Sequence, residues 1–360
     1  MSPPQTRQRL ETLLAERILL LDGAMGTMMQ RAGLGEADYR GERFRDHSHD
    51  LKGDHDILVL TRPEVVEETH HRFLEAGADV IETYTFTATS IGQEDYGLSE
   101  LAREINLAAA RLSRRAADAW TQRTPEKPRF VAGSIGPLQK TLSLSPDVND
   151  PGFRAVDFDE VRDSYAEQIR ALVEGGCDLL LVETVFDTLN AKAALVAADE
   201  VQRGLSVDLP LIVSAAITDL SGRVLSGQTL EAFWTSVAHA RPLAVGLNCS
   251  RGAKDLRPHV EELSRIADVF TICYPNAGLP NAFGEYDETP EITSGLLREF
   301  AENGWVNLLG GCCGTTPEHI RAIAQAVEGL SPRQRPLFET RHSRFSGLEA
   351  LTIRPDSNFM

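Results

Sequence analysis

At 360 residues and 42% hydrophobic, the chain can bury a large core, and its length suits one large decorated domain better than two ordinary ones. With 36 Lys and Arg against 53 Asp and Glu, the formal net charge of -17 repels phosphate backbones and argues against a nucleic-acid partner. The N-terminus has no signal-peptide or membrane-span run, since LLAERILLL is interrupted by Glu16 and Arg17, so a cytoplasmic protein with no membrane association is expected.

In chain order, short aliphatic runs alternate with helical stretches. The predicted strands are ILLLDG (18–23), DVIETYTF (79–86), RFVAGSIG (129–136), DLLLVETV (178–185), LPLIVSAAI (209–217), LAVGLNC (243–249), VFTICYPN (269–276) and VNLLGG (306–311). Their nearly continuous apolar character suits strands covered on both faces. Between them lie periodic segments such as PEVVEETHHRFLEAG and TPEHIRAIAQAVEGL, several opened by Pro or Ser/Thr and closed by Gly. Eight such pairs predict a closed α/β barrel, the (β/α)8 TIM barrel. An open doubly wound sheet would need a topological switch point that the sequence does not mark.

Two insertions, about 33–56 after the first strand and 143–158 after the third, fall on strand-to-helix connections, where barrel enzymes place substrate loops. From about 331 the helical period is lost and Pro, Arg and Ser accumulate. The expected division is a barrel over 1–330 and a connector-like tail over 331–360.

The five cysteines are an odd number without a secretion signal, which argues against a disulfide framework. Cys249 ends the sixth predicted strand, and Cys312 and Cys313 directly follow the eighth, so three thiols converge on one barrel face. Adjacent cysteines on a regular strand point to opposite sides, so both reach one ion only if the backbone bends, and Gly310, Gly311 and Gly314 permit that bend. Three thiolates suit zinc and leave a fourth tetrahedral position open to a substrate. The same spacing is compatible with buried apolar thiols, or with a vicinal disulfide between Cys312 and Cys313. Cys177 and Cys273 read as core residues, and His70 and His71, on a helix pattern, as packing or solvent-facing side chains.

At these residues the sequence resembles the homocysteine-binding domain of cobalamin-dependent methionine synthase, within the homocysteine S-methyltransferase family. The matching motifs are DGAMGT (22–27), SPDVNDPGF (145–153), ETVFDTLNAKAAL (183–195), GLNC (246–249), PNAGLPNAFGEYD (275–287) and GGCCGTTPEHI (310–320), over about 17–330. The resemblance implies a methyltransferase in which Cys249, Cys312 and Cys313 hold zinc. It places Asp22 and Glu183 near the substrate ammonium, although helix capping or a buried salt bridge would also account for those two carboxylates. Gly23 and Ala24 main-chain N–H groups and the Thr83 and Ser134 hydroxyls are candidates for the substrate carboxylate. Related domains commonly read ETNTF where this chain has ETYTF, so Tyr84 replaces an amide near the pocket mouth.

The tail over 343–359 resembles the connector leading into a folate-binding barrel. Nothing here resembles a cobalamin or folate site, so the implied donor is methylcobalamin supplied by a partner module, with cobalamin- and folate-binding modules on a separate or excised polypeptide. The alternatives are a free-standing homocysteine methyltransferase using S-methylmethionine, S-adenosylmethionine or betaine, and a module that binds homocysteine without turnover.

Overall fold

The apolar runs become eight parallel strands: β1 (Leu19–Leu20), β2 (Val80–Glu82), β3 (Phe130–Ile135), β4 (Leu179–Val185), β5 (Leu211–Ala215), β6 (Ala244–Gly252), β7 (Phe270–Asn276) and β8 (Leu308–Leu309). The computed structural model describes residues 3–219, 221–338 and 342–358. Strand order around the sheet is β1-β8-β7-β6-β5-β4-β3-β2. A bridge between Leu21 and Val80 joins the two ends, with Asp79 N–H donating to the Leu20 carbonyl at 2.7 Å. The result is the expected α/β (β/α)8 TIM barrel.

A helix follows each strand, and local chemistry fixes several starts. Asp157 caps Phe158–Gly175 by accepting from Glu160 N–H at 2.9 Å, while Asp187 caps Thr188–Leu205. Asp187 also accepts from the Ser143 hydroxyl at 2.7 Å, which ties the 143–158 insertion to the next βα unit. In the 33–56 insertion, the Glu36 carboxylate accepts from Leu51 N–H at 2.9 Å and Lys52 N–H at 2.6 Å, folding the segment back on itself. Among the described residues no helix is long and apolar enough to cross a membrane.

Two apolar clusters divide the interior. One lies between strands and outer helices; the other fills the barrel lumen with Leu19, Leu21, Val80, Phe130, Ala132, Leu179, Leu181, Ile212, Ala244, Phe270, Ile272 and Leu308, and is joined by Leu10, Leu13 and Leu14 of the N-terminal helix. Because side chains alternate along a strand, the inward parity of these residues carries on to Glu82, Ser134, Glu183, Ser214, Asn248 and Tyr274 at the C-terminal ends. The lumen is therefore apolar for most of its depth and capped by a polar layer, where barrel enzymes place their chemistry.

The tail crosses the opposite end. Arg333 is buried, and its guanidinium donates to the carbonyls of Ser264, Ala267 and Val269, while Asn307 Nδ2 donates to the Arg333 carbonyl at 2.8 Å. Further on, strands β9 (Arg344–Ser346) and β10 (Ala350–Thr352) form an antiparallel pair against the helix Leu230–Val237, with the Ser346 hydroxyl donating to the Ala232 carbonyl at 2.7 Å. Residues 339–341 and 359–360 of the tail lie outside the described residues.

Candidate metal centre

The β8 ladder ends at Leu309, and the following glycines turn the chain across the barrel mouth. A Cβ on Gly310 would lie 2.7 Å from the Leu21 Cβ, and one on Gly311 would lie 2.4 Å from the Thr315 Oγ1, so both close approaches require glycine. Gly314 has φ +83, and a Cβ there would lie 2.3 Å from that of Tyr286. Cys312 N–H donates to the Pro275 carbonyl at 2.8 Å, Ala277 N–H donates to the Cys313 carbonyl at 2.9 Å, and the Thr315 hydroxyl donates to the Cys312 carbonyl at 2.7 Å. The two cysteines thus sit on a turn bonded at both edges.

Cys249 reaches the same point from β6, whose register with β7 breaks after Asn248. Its φ is 56, and that of Ser250 is 54. The three sulfurs lie within 4.8 Å of one another, with Cys249 and Cys313 3.9 Å apart. Zinc–sulfur bonds of about 2.3 Å in tetrahedral geometry would separate sulfurs by about 3.8 Å, so the donor set fits zinc in both chemistry and spacing. All five cysteines are free thiols. Hydrogen bonds from Cys249 and Cys312 push the Cys313 thiol down to about 3, whereas Cys312 is pushed up by its bonds to the other two and by burial. Cys273 faces the outer helices, Cys177 packs in the same outer cluster, and burial raises both thiols.

Around the thiols lies a layer of buried carboxyls. Asp22 Oδ2 accepts from Glu82 N–H at 3.1 Å, while its Oδ1 is buried with no partner. Glu183 accepts from the Ser134 hydroxyl and, at 3.4 Å, from the Tyr274 phenol. Desolvation raises Asp22 and Glu82 well above the carboxylate range, assisted in each by the charge of Glu183, and raises Glu183 to about 7 against its two hydrogen bonds. Among the described residues no arginine or lysine contributes to any of these shifts. Three acids gathered without a cation form a site whose ionised state an incoming ammonium would stabilise.

Of the remaining predicted residues, Ala24, Thr83 and Ser134 already have partners. Ala24 N–H donates to the Thr315 hydroxyl at 3.2 Å, and the Thr83 hydroxyl lies 2.7 Å from that of Thr85 and accepts from Ser134 N–H at 2.9 Å. A Cβ on Gly23 would lie 2.8 Å from the Phe73 ring. Tyr84 is buried and its hydroxyl has no partner, with burial and the nearby Asp56 carboxyl raising it. His70 is buried 3.1 Å from the Ser113 hydroxyl, and His71 accepts from the Trp120 indole at 3.0 Å, both away from the thiols.

Sequence reasoning missed Glu82, Asn248, Tyr274 and Tyr286. Glu82 and Asn248 stand out in the sequence only as polar residues within apolar runs. Tyr286, raised by burial and by Cys313 beside it, comes from a loop with no periodic signal.

Comparison with known proteins accords with this geometry. The profile described as homocysteine S-methyltransferase matches residues 19–327. Among solved structures, the homocysteine methyltransferase MmuM from Escherichia coli in its metallated form is similar at 23% identity and a TM-score of 0.65, over 86% of this chain and 96% of that one. Its oxidized form is similar at 24% identity and a TM-score of 0.66, over 86% and 95%. At these identities the structural likeness speaks for the barrel, and the profile match speaks for the lineage: the chain belongs to the homocysteine S-methyltransferase family.

Proposed function

We propose that this chain binds homocysteine, with Cys249, Cys312 and Cys313 holding a zinc ion, and presents the substrate sulfur to methylcobalamin carried by a partner module, forming methionine. The observation that carries the reading is the set of three thiols at zinc-compatible spacing beside three uncompensated carboxyls. When bound, zinc supplies Lewis acidity that favours the ionised form of a thiol whose ordinary pKa is about 8.5.

The protein's own groups do the rest. Asp22 and Glu183, joined by Glu82, receive the substrate ammonium, whose positive charge offsets the cost of ionising a buried carboxyl there. The Gly23–Ala24 turn and the Thr83 and Ser134 hydroxyls receive the carboxylate, exchanging their present partners Thr315, Thr85 and Glu183 for it. Binding both ends of the amino acid fixes the direction of the sulfur, and orientation of this kind is worth several powers of ten in rate.

The donor assignment rests on the SPDVNDPGF loop and the connector-like tail, and it makes cobalamin- and folate-binding modules the partners. A second reading, a free-standing methyltransferase using S-methylmethionine, S-adenosylmethionine or betaine, is equally compatible with membership of the family. A methionine assay with each donor, with and without a zinc chelator, separates them. The first reading predicts slow, zinc-dependent methylation from free methylcobalamin, first order in donor. Robust zinc-dependent turnover with S-methylmethionine and none with methylcobalamin would overturn it in favour of the second.

A further inference from the structure

We infer that Asn248 is a positioning residue that sets both arms of the site at once, the Cys249 thiol and the Glu183 carboxylate. The inference rests on the homocysteine reading above and adds to it a residue that need touch neither metal nor substrate.

Asn248 is fully buried at inward parity on β6. A buried amide must find partners, and this one has three. Its Oδ1 accepts from Thr184 N–H at 3.0 Å and from the Ser214 hydroxyl at 2.7 Å, and its Nδ2 donates to Thr184 Oγ1 at 2.7 Å. Thr184 directly follows Glu183, and Cys249 directly follows Asn248.

Both neighbours are held in unusual backbone. Thr184 has φ 53 and Cys249 φ 56, and for a β-branched residue such as Thr184 the left-handed region is costly unless the surroundings impose it. The strands lose register at the same places, between Val182 and Val185 in the β4–β5 pair and between Asn248 and Gly252 in the β6–β7 pair. Asn248 spans the two breaks: it bonds the main chain and hydroxyl of Thr184 while forming the last regular residue before Cys249. On the far side of Cys249, the Ser250 hydroxyl donates to the Ile217 carbonyl at 2.6 Å, so the thiol's backbone is anchored on both flanks.

The left-handed turn at Thr184 directs Glu183 through the backbone, and the Tyr274 phenol, at inward parity on β7, donates to its far oxygen at 3.4 Å.

The test uses the full chain loaded with zinc. Homocysteine and γ-mercaptobutyrate, the same thiol acid without the amino group, are compared by calorimetry, and zinc retention is read by competition with a chromophoric chelator. In Asn248→Ala the preference for homocysteine should narrow by about tenfold or more, and zinc should be held about tenfold less tightly. In Asn248→Ala/Thr184→Gly the preference should return, because glycine takes the left-handed conformation without support, while zinc retention should stay low because Cys249 remains unheld. Thr184→Val, which removes only the acceptor for Nδ2, should narrow the preference in the same direction by a smaller factor, and it decides the matter if the alanine variant does not fold. Preference and zinc retention unchanged from wild type in Asn248→Ala, an unchanged preference in Thr184→Val, or failure of Thr184→Gly to restore the preference would each overturn the assignment. A wild-type protein that shows no preference for homocysteine over γ-mercaptobutyrate would instead overturn the functional reading itself.

Discussion

The main-chain N–H of Gly311 donates to the carbonyl of Asp22 at 3.1 Å, so the turn that carries two of the thiols is bonded to the turn that carries a buried carboxylate. This bond lies at the seam where β1 pairs with β8, with Leu19 opposite Leu308. Closing the barrel therefore also joins the proposed metal end of the site to the proposed ammonium end.

Gly311 is where that seam is most sensitive. A methyl group at this position would run into Thr315, which is fully buried and bonded to both Ala24 and the Cys312 carbonyl. Gly311→Ala is expected to cost about 1–3 kcal/mol of stability and to weaken zinc retention in the same protein. Thermal unfolding and chelator competition measure the two, and a variant matching wild type in both would show that the turn has more room than its contacts indicate.

Single replacements Cys249→Ser, Cys312→Ser and Cys313→Ser should each reduce bound zinc from about one per chain to a small fraction, since a hydroxyl does not replace a thiolate in this coordination. Elemental analysis of the purified variants checks this. Full retention in any one of them removes that residue from the ligand set.

Asp22→Asn and Glu183→Gln each remove a charge facing the substrate ammonium and leave the thiols in place. A charge-assisted hydrogen bond is worth about 1.5–3 kcal/mol, so homocysteine affinity should fall roughly 10- to 100-fold while zinc content is unchanged. Unaltered affinity in both would mean that these carboxyls serve the fold.

The raised pKa of Glu183 sets a direction for pH dependence. Desolvation holds this group at about 7 in the fold, against 4.5 for an ordinary glutamate. Between those values the folded protein keeps a proton that the unfolded chain has lost, so metal-free protein without substrate loses stability from this group as pH rises through that window. The loss is at most about 3 kcal/mol. Glu183→Gln should flatten this part of the curve, with Asp22 and Glu82 still contributing in the same direction in both proteins. Urea midpoints measured across pH decide it, and identical slopes for variant and wild type would contradict the assignment.

Much of this architecture is legible in the sequence. Long runs such as DLLLVETV and LAVGLNC have room for little except buried parallel strands, and GGCC marks both the thiols and the turn they need. The ladders of β2 and β8 are shorter than their apolar runs because each chain leaves the sheet early, at Thr83 and at Gly310, to build the site. Glu82 was missed because its direction depends on strand parity, which only closure of the ring defines. Tyr286 stands within the PNAGLPNAFGEYD motif without being singled out, since its place beside Cys313 arises from a long loop folding over Gly314. The tail shows a further boundary of composition-based reasoning: a Pro- and Arg-rich stretch reads the same whether or not one arginine, here Arg333, is buried against three carbonyls.

The most direct test of the central claim is zinc K-edge X-ray absorption on the zinc-loaded chain before and after addition of homocysteine. Three sulfur neighbours at about 2.3 Å, rising to four when homocysteine is added, are predicted from Cys249, Cys312 and Cys313 with the fourth position free for the substrate thiol. A sulfur count that does not change on adding saturating homocysteine would contradict the account.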